Sequence, residues 1–223
     1  MGKYTHLLDI AGDNSAAQIL RQVAPNSTVL EFGPASGYMT EYMKESLNCD
    51  VHIVEINEED GKEASQWAKS ALIGSKDGDI EDYNWTEIEP CDYIIFADVL
   101  EHLYNPWQVL QTSTALLKDG GSILISIPNI SHNSVIIDLI NGKFNYRELG
   151  LLDNTHIRFF TRESLLFMVD YAGLRVEKEM NTFCAVEHTE FKNNLTNVPE
   201  EVVKVLQERP DGILYQFVWE LKK

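Results

Sequence analysis

The stretch from Thr28 to Thr40, T-V-L-E-F-G-P-A-S-G-Y-M-T, constrains this chain more than any other. Val29, Leu30 and Phe32 are apolar and favour extended backbone, and Asn26 and Ser27 mark a start, so a buried strand is expected. Gly33 to Gly37 then makes a tight loop, with glycines where main chain must approach something closely. Ser36 is expected to cap a helix over 38–47, because Tyr38, Met39, Tyr42, Met43 and Leu47 recur at helical spacing. Strand, glycine loop and helix N-terminus together suit a nucleotide: the loop admits a ligand to the main chain, and the free N–H groups favour a polar or anionic group. The dinucleotide version of such a loop reads G-x-G-x-x-G. Here Gly33 and Gly37 stand four apart with Ala35 between them, and Glu31 precedes them on the strand.

A second strand is expected over 49–55, C-D-V-H-I-V-E. Its last residue, Glu55, falls 22 positions after Gly33. A carboxylate at that place can accept hydrogen bonds from both ribose hydroxyls of a nucleoside, and Ile56 can cover one face of the base. Asn57 should cap a helix to about residue 71, with Trp67 and Ala68 toward the core. A short third strand over 71–73 and an acidic loop, S-K-D-G-D-I-E-D, follow. Residues 92–96, D-Y-I-I-F, read as a fully apolar central strand. Asn105 and Pro106 open a helix over 107–117 that stops at K-D-G-G, and 122–127 reads as the fifth strand. Strands that stay apolar without alternation indicate a parallel sheet covered by helices on both faces.

Residues 131–160 leave this repeat. A helix over 135–140 ends at Gly142, and the aromatic, charged run F-N-Y-R-E-L-G-L-L-D-N-T-H-I-R-F-F-T reads as a cap. Thr161 should cap a helix over 162–172 that ends at Gly173, with Ser164 in the place of the usual capping-box Glu. A sixth strand over 174–182, an amphipathic helix over 199–208 and a strand over 212–221 complete the chain. In the last of these Ile213, Tyr215, Phe217 and Trp219 alternate, which suits antiparallel pairing. At the other end, 2–13 reads as a polar arm and 15–23 as a short helix ended by Pro25. One domain over 1–223 is expected, with arm and helix in 1–24 and a cap-like insertion in 131–160.

Composition removes several function classes. The formal net charge is −17, from 35 Asp and Glu against 18 Lys and Arg, and no basic cluster stands out. An RNA or DNA partner needs cations to meet phosphates, so nucleic acid is not expected. No apolar run is long enough to span a bilayer, and the first residues lack a signal-peptide core. Cys49, Cys91 and Cys184 are far apart, with no metal-ligand spacing. They read as reduced thiols of a cytoplasmic protein, and no metal site is expected.

Several stretches together resemble one family. V-L-E-F-G-P-A-S-G looks like motif I, and V-H-I-V-E like motif II, of the class I S-adenosylmethionine (SAM) dependent methyltransferases. A-D-V-L-E-H-L-Y-N-P and L-L-K-D-G-G-S-I-L-I-S-I-P-N resemble the later motifs of a subgroup holding many small-molecule methyltransferases. L-L-D-N-T-H-I-R-F-F-T looks like a narrower bacterial and archaeal mark often linked to cell-surface sugar metabolism. The resemblance implies a Rossmann-like doubly wound α/β sheet of seven strands, mostly parallel with an antiparallel last strand. SAM would lie over the carboxyl ends of the first four strands and become S-adenosylhomocysteine. Position by position, Glu31 and Gly33 would hold the methionine end, Ala35 would sit beside the ligand, and Gly37 would let the helix pack close. Glu55 would take the ribose, Ile56 and Ile80 the adenine faces, and Asp79 or its competitor Asp77 the adenine amino group. Asp98 would lie near the sulfonium. Pro34 and Ala35 depart from the commoner Cys-Gly of the family.

Methyl transfer is an in-line displacement, so the protein mostly positions two reactants and excludes water. A hydroxyl acceptor with a high pKa also needs a base. His156 is the first candidate, with Asp153 to orient it; His102 and His132 are competitors at the same mouth. Tyr146, Arg147 and Arg158 share the segment. The acceptor is expected to be a small molecule, a sugar or another metabolite, handled by a monomer or homodimer away from membranes. Two alternatives stand beside this reading: an NAD-dependent Rossmann dehydrogenase, and a non-catalytic SAM-fold partner protein with Phe217 and Trp219 at an interface.

Overall fold

Five of the strands run as the apolar segments foretell, and they order the rest. The computed structural model describes residues 8–223. In chain order it holds α1 (Ser15–Leu20), β1 (Thr28–Phe32), α2 (Tyr38–Glu45), β2 (Asp50–Glu55), α3 (Glu58–Ala64), β3 (Ser70–Ile73) and the single turn α4 (Gly74–Asp77). Then come β4 (Cys91–Ala97), α5 (Pro106–Ser113), β5 (Leu117–Pro128), α6 (Asn133–Ile140), α7 (Arg162–Tyr171), β6 (Arg175–Glu179), β7 (Thr182–Phe183), α8 (Glu200–Glu208) and β8 (Leu214–Lys222). The sheet order is β3-β2-β1-β4-β5-β8-β6, with the two-residue β7 also on β8. β1 pairs in parallel with β2 and β4, β2 with β3, and β4 with β5, while β8 runs antiparallel to both β5 and β6. This is a doubly wound α/β sheet with an antiparallel last strand. Its winding reverses between β1 and β4, and a ligand of such a sheet lies outside the carboxyl ends at that reversal.

Both faces are covered, which is why the strands do not alternate polar and apolar. Leu30 and Phe32 of β1 pack with Ile94 and Phe96 of β4, Val109 and Leu110 of α5, and Leu165, Met168 and Val169 of α7. Val29 turns to the opposite layer, with Ile19 and Leu20 of α1, Met39 and Met43 of α2, and Ala64 of α3. Phe217 and Trp219 are fully buried in the first layer, so the idea that they form an interface gives way to core packing.

Several element ends differ from the sequence expectation. The helix after Asn57 stops at Ala64, continues as one 3₁₀ turn through Trp67, and Trp67 is only half buried. Backbone extended at Ala68 starts the short run to β3, which closes the parallel ladder from His52–Ser70 to Glu55–Ile73. α5 likewise ends at Ser113 and a 3₁₀ turn, and β5 begins at Leu117, ahead of the Gly pair. The expected sixth strand is split into β6 and β7. Asn181, between them, accepts from Val218 N and Trp219 Nε1 with its side chain, so an amide replaces the ladder there. Ser36 does not cap α2; Gly37 holds the cap position at φ 87° with no side-chain cap bond. Thr161 and Ser164 do form the reciprocal capping box. Of the expected arm, residues 1–7 lie outside the described residues, while Leu8 and Ile10 pack on the α1–α2 layer.

Candidate active site

The loop after β1 is bent by three left-handed residues, Gly33 (φ 62°), Ala35 (φ 50°) and Gly37 (φ 87°). Non-glycine residues rarely adopt this region, so Ala35 is held there by its surroundings. One such hold is visible: Ala35 N donates to Glu55 Oε2 at 3.1 Å, and Asn57 N donates to Glu55 Oε1 at 2.8 Å. Glu55 thus ties the glycine loop to the start of α3. Gly37 lets α2 pack on α3, since a Cβ there would stand 2.6 Å from Ala64 Cα.

Glu31, one residue before the end of β1, and Glu55, the last residue of the neighbouring β2, are both buried. Glu31 Oε2 accepts from Thr40 Oγ1 at 2.6 Å. Burial, with the charge of Glu55 adding to it against the Thr40 bond, pushes the Glu31 carboxyl up to about 7. Burial also raises Glu55, against bonds from the Asn57 and Ala35 amides. The Tyr38 phenol lies in the same negative field, raised by burial and by Asp98 and Glu31. Asp98, just past β4, is also left-handed (φ 54°). Its N donates to Ser126 O and Oγ, and its Oδ1 accepts from Ser126 Oγ at 3.0 Å and Gln216 Nε2 at 2.8 Å.

Beyond α4, Gly78 sits so close to Glu55 that a Cβ would meet the Glu55 carbonyl oxygen. This close approach brings Asp79 and Ile80 beside the end of β2. Ile80 is buried, its carbonyl accepts from Trp85 Nε1 at 2.7 Å, and Asp79 Oδ1 accepts from Glu81 N. Asp77 is exposed at the end of α4, and Ile56 is exposed next to Glu55.

The cap meets this edge through the turn after β4. Ile157 N and Arg158 N both donate to Glu101 O at 3.0 Å, and Arg158 Nε donates to Tyr104 O. His156 is buried, with Nδ1 3.4 Å from Leu151 O and Nε2 4.0 Å from Glu101 Oε1. The His102 ring packs edge-on against it, centroids 4.8 Å apart, with Nδ1 3.2 Å from Thr155 O. Asp153 Oδ1 accepts from Thr155 N and Oγ1, and its carbonyl accepts from His156 N. His132 stands elsewhere: fully buried at the start of α6, its Nδ1 accepts from Ser134 N and its Nε2 donates to Cys184 O, so both nitrogens serve the fold. Tyr146 is exposed, and Arg147 lies over the Phe191 ring.

Sequence reasoning missed Glu101, Tyr38 and Thr40. Glu101 is 1% exposed and neither carboxyl oxygen has a hydrogen-bond partner among the described residues. Burial, with the charges of Asp98 and Asp153 adding to it, holds this carboxyl well above the usual carboxylate range. Glu101 adjoins His102, but nothing in the sequence pattern joins either to His156.

With this geometry established, comparison with known proteins is direct. The methyltransferase-domain family matches residues 10–179. The ubiquinone biosynthesis O-methyltransferase of Shewanella sp. (strain ANA-3) is 24% identical over 148 residues, 66% of this chain and 62% of that protein. The protein of the same name from Nitrosomonas europaea is 25% identical over 155 residues, 66% and 63%. The matches therefore span under two thirds of these relatives' length. Among solved structures, a SAM-dependent methyltransferase from Archaeoglobus fulgidus has a TM-score of 0.62 at 22% identity, covering 93% of this chain and 92% of that one. Magnesium protoporphyrin IX methyltransferase from Synechocystis PCC 6803, solved with bound SAH, has a TM-score of 0.58 at 13% identity, covering 93% and 78%. The chain belongs to the methyltransferase-domain family, with the Rossmann-like fold of the class I SAM-dependent methyltransferases.

Proposed function

We propose that this chain transfers a methyl group from SAM to an oxygen of a small hydroxylated acceptor. The observation that carries the reading is the pair of buried carboxylates, Glu31 and Glu55, flanking a left-handed glycine loop at the point where the sheet reverses. In this reading Glu31, Gly33 and Ala35 receive the methionine end, and Gly37 keeps α2 close. Glu55 takes the ribose hydroxyls, Ile56 and Ile80 enclose the adenine, and Asp79 meets its amino group. Asp98 faces the sulfonium. A ligand with an ammonium, a carboxylate and a sulfonium suits a site that offers both backbone donors and carboxylates.

The acceptor meets the cap edge, where Glu101, His102, Asp153 and His156 converge. Ubiquinone biosynthesis O-methyltransferases among the relatives support an O–H acceptor. The two alternatives from the sequence fare differently. A dehydrogenase is set aside by the family match, since G-x-G-x-x-G is also missing. A non-catalytic partner role would show as tight SAM binding without turnover. In this proposal the protein works in the cytoplasm, with all three cysteines free, as a monomer or homodimer. The test is thermal unfolding with SAM, SAH and NAD, followed by radiolabelled methyl transfer to hydroxylated aromatic and sugar acceptors. A ligand that binds only the native state raises the melting temperature, so SAM and SAH should raise it and NAD should not. Stabilisation by NAD alone would sink the reading.

A further inference from the structure

We propose that Glu101, His102 and His156 form a site for one divalent transition-metal ion, next to Asp98 at the carboxyl end of β4. An oxygen of Glu101 and one ring nitrogen of each histidine lie within 4.8 Å of one another. Ligand atoms sit about 2 Å from such an ion, so small side-chain rotations close the shell.

Three features point to a cation. Glu101 is buried with both oxygens lacking a hydrogen bond among the described residues, and His156 Nε2 stands 4.0 Å from its Oε1. A buried carboxylate without hydrogen bonds is costly and calls for a paired charge or a metal. Asp98 and Asp153 act on the same pocket with further negative charge. The histidines, moreover, are already oriented. A carbonyl oxygen only accepts, so His102 Nδ1 donates to Thr155 O and His156 Nδ1 to Leu151 O. Each Nε2 then carries the lone pair, and an outer hydrogen bond of this kind is what metal-bound histidines make.

The donor set selects the class of ion. Two imidazoles and one carboxylate with open positions suit Zn²⁺, Fe²⁺, Co²⁺ or Ni²⁺, whereas Mg²⁺ and Ca²⁺ prefer oxygen donors. The ion would also join the turn after β4 to the cap, alongside the bonds from Ile157 N and Arg158 N to Glu101 O. Its role rests on the proposed methyl transfer. Bound to the ion, an acceptor hydroxyl loses its proton to solvent more readily; its oxygen attacks the methyl carbon of SAM, and the sulfur leaves as a neutral thioether.

The experiment uses full-length, untagged, chelator-treated protein titrated with CoCl₂ in the absence of SAM. Saturable uptake of one Co²⁺ per chain is expected, with enhanced visible ligand-field absorption that ZnCl₂ displaces. Glu101→Gln, which nearly keeps the shape of the side chain, His102→Ala and His156→Ala should each weaken uptake by at least roughly 10–100-fold, the loss that follows removal of even an outer partner. His188→Ala, on the surface, should change nothing. Circular dichroism selects the variants that are folded. No saturable Co²⁺ spectrum in the wild type, or an unchanged one in folded Glu101→Gln, overturns the site. Intact Co²⁺ uptake in a protein that binds no SAM would instead overturn the methyltransferase reading and leave the ion site standing.

Discussion

A carboxyl group that titrates near 7 changes charge within the range where enzymes work, and Glu31 is such a group. Its folded value lies above that of an unfolded glutamate, so the ionised form is penalised in the ligand-free fold. That penalty is absent at low pH, grows as pH rises from about 4.5, and is complete above about 7. A cationic methionine end reverses the preference by pairing with the carboxylate. SAM affinity should therefore fall as pH drops below about 7, by up to roughly tenfold per pH unit, because a proton must leave on binding. Calorimetry between about pH 5.5 and 7.5 should show proton release, and Glu31→Gln should flatten the profile. A pH-independent affinity in the wild type would remove Glu31 from the cofactor site. Glu55 carries a double duty. Glu55→Ala should weaken SAM by about 1.5–3 kcal/mol, the usual scale for hydrogen bonds to a charged group. It also strips the acceptor from Ala35 N and Asn57 N, so the ligand-free protein should melt lower as well. Isothermal titration on the folded fraction separates the two effects. Unchanged affinity per folded molecule would make Glu55 a loop support only.

At the scale of elements, the contact between α2 and α3 is the one most exposed to a single methyl group. Gly37 is left-handed, and a Cβ there would meet the Ala64 backbone at 2.6 Å. Gly142 is left-handed too (φ 70°), yet nothing lies within 4 Å of its would-be Cβ. Gly142→Ala should then cost only backbone strain, about 1 kcal/mol, and Gly37→Ala that strain plus displacement of α3, about 2–3 kcal/mol. Chemical denaturation of both variants checks the difference; equal losses would mean that α3 yields freely. The same elements show what the sequence makes legible. β1, the glycine loop, α2 and β2 follow from apolar runs and from glycine and acid spacing, all of them local signals. The ends of α3 and α5 do not, because the chain leaves each helix when the next strand must join the ladder. The split between β6 and β7 depends on one Asn181 amide meeting β8, a contact across 37 positions. The Glu101–His156 approach was equally out of reach, since no periodicity links a turn after β4 to a cap residue 55 positions later.

Over the whole molecule, charge decides which large partners can bind. The net charge of −17 repels polyanions at long range, and a local exception would need a cluster of uncommitted cations. Several cations are already committed. Lys69 pairs with Asp50 and Glu89, Lys118 with Asp92, and Arg162 with Glu179 and Asp211 while lying over Phe217 and Trp219. Breaking such pairs to meet phosphates would leave carboxylates facing the same backbone. Nucleic-acid affinity comes mainly from counterions released when lysine and arginine neutralise phosphates, and this surface offers little of that exchange. We expect no measurable binding to RNA or duplex DNA at physiological salt. Fluorescence anisotropy with labelled single-stranded RNA, hairpin RNA and duplex DNA checks this across a salt series. A micromolar complex that weakens steeply with added salt would show a basic patch assembled in three dimensions, and would reopen nucleic acid as the methyl acceptor.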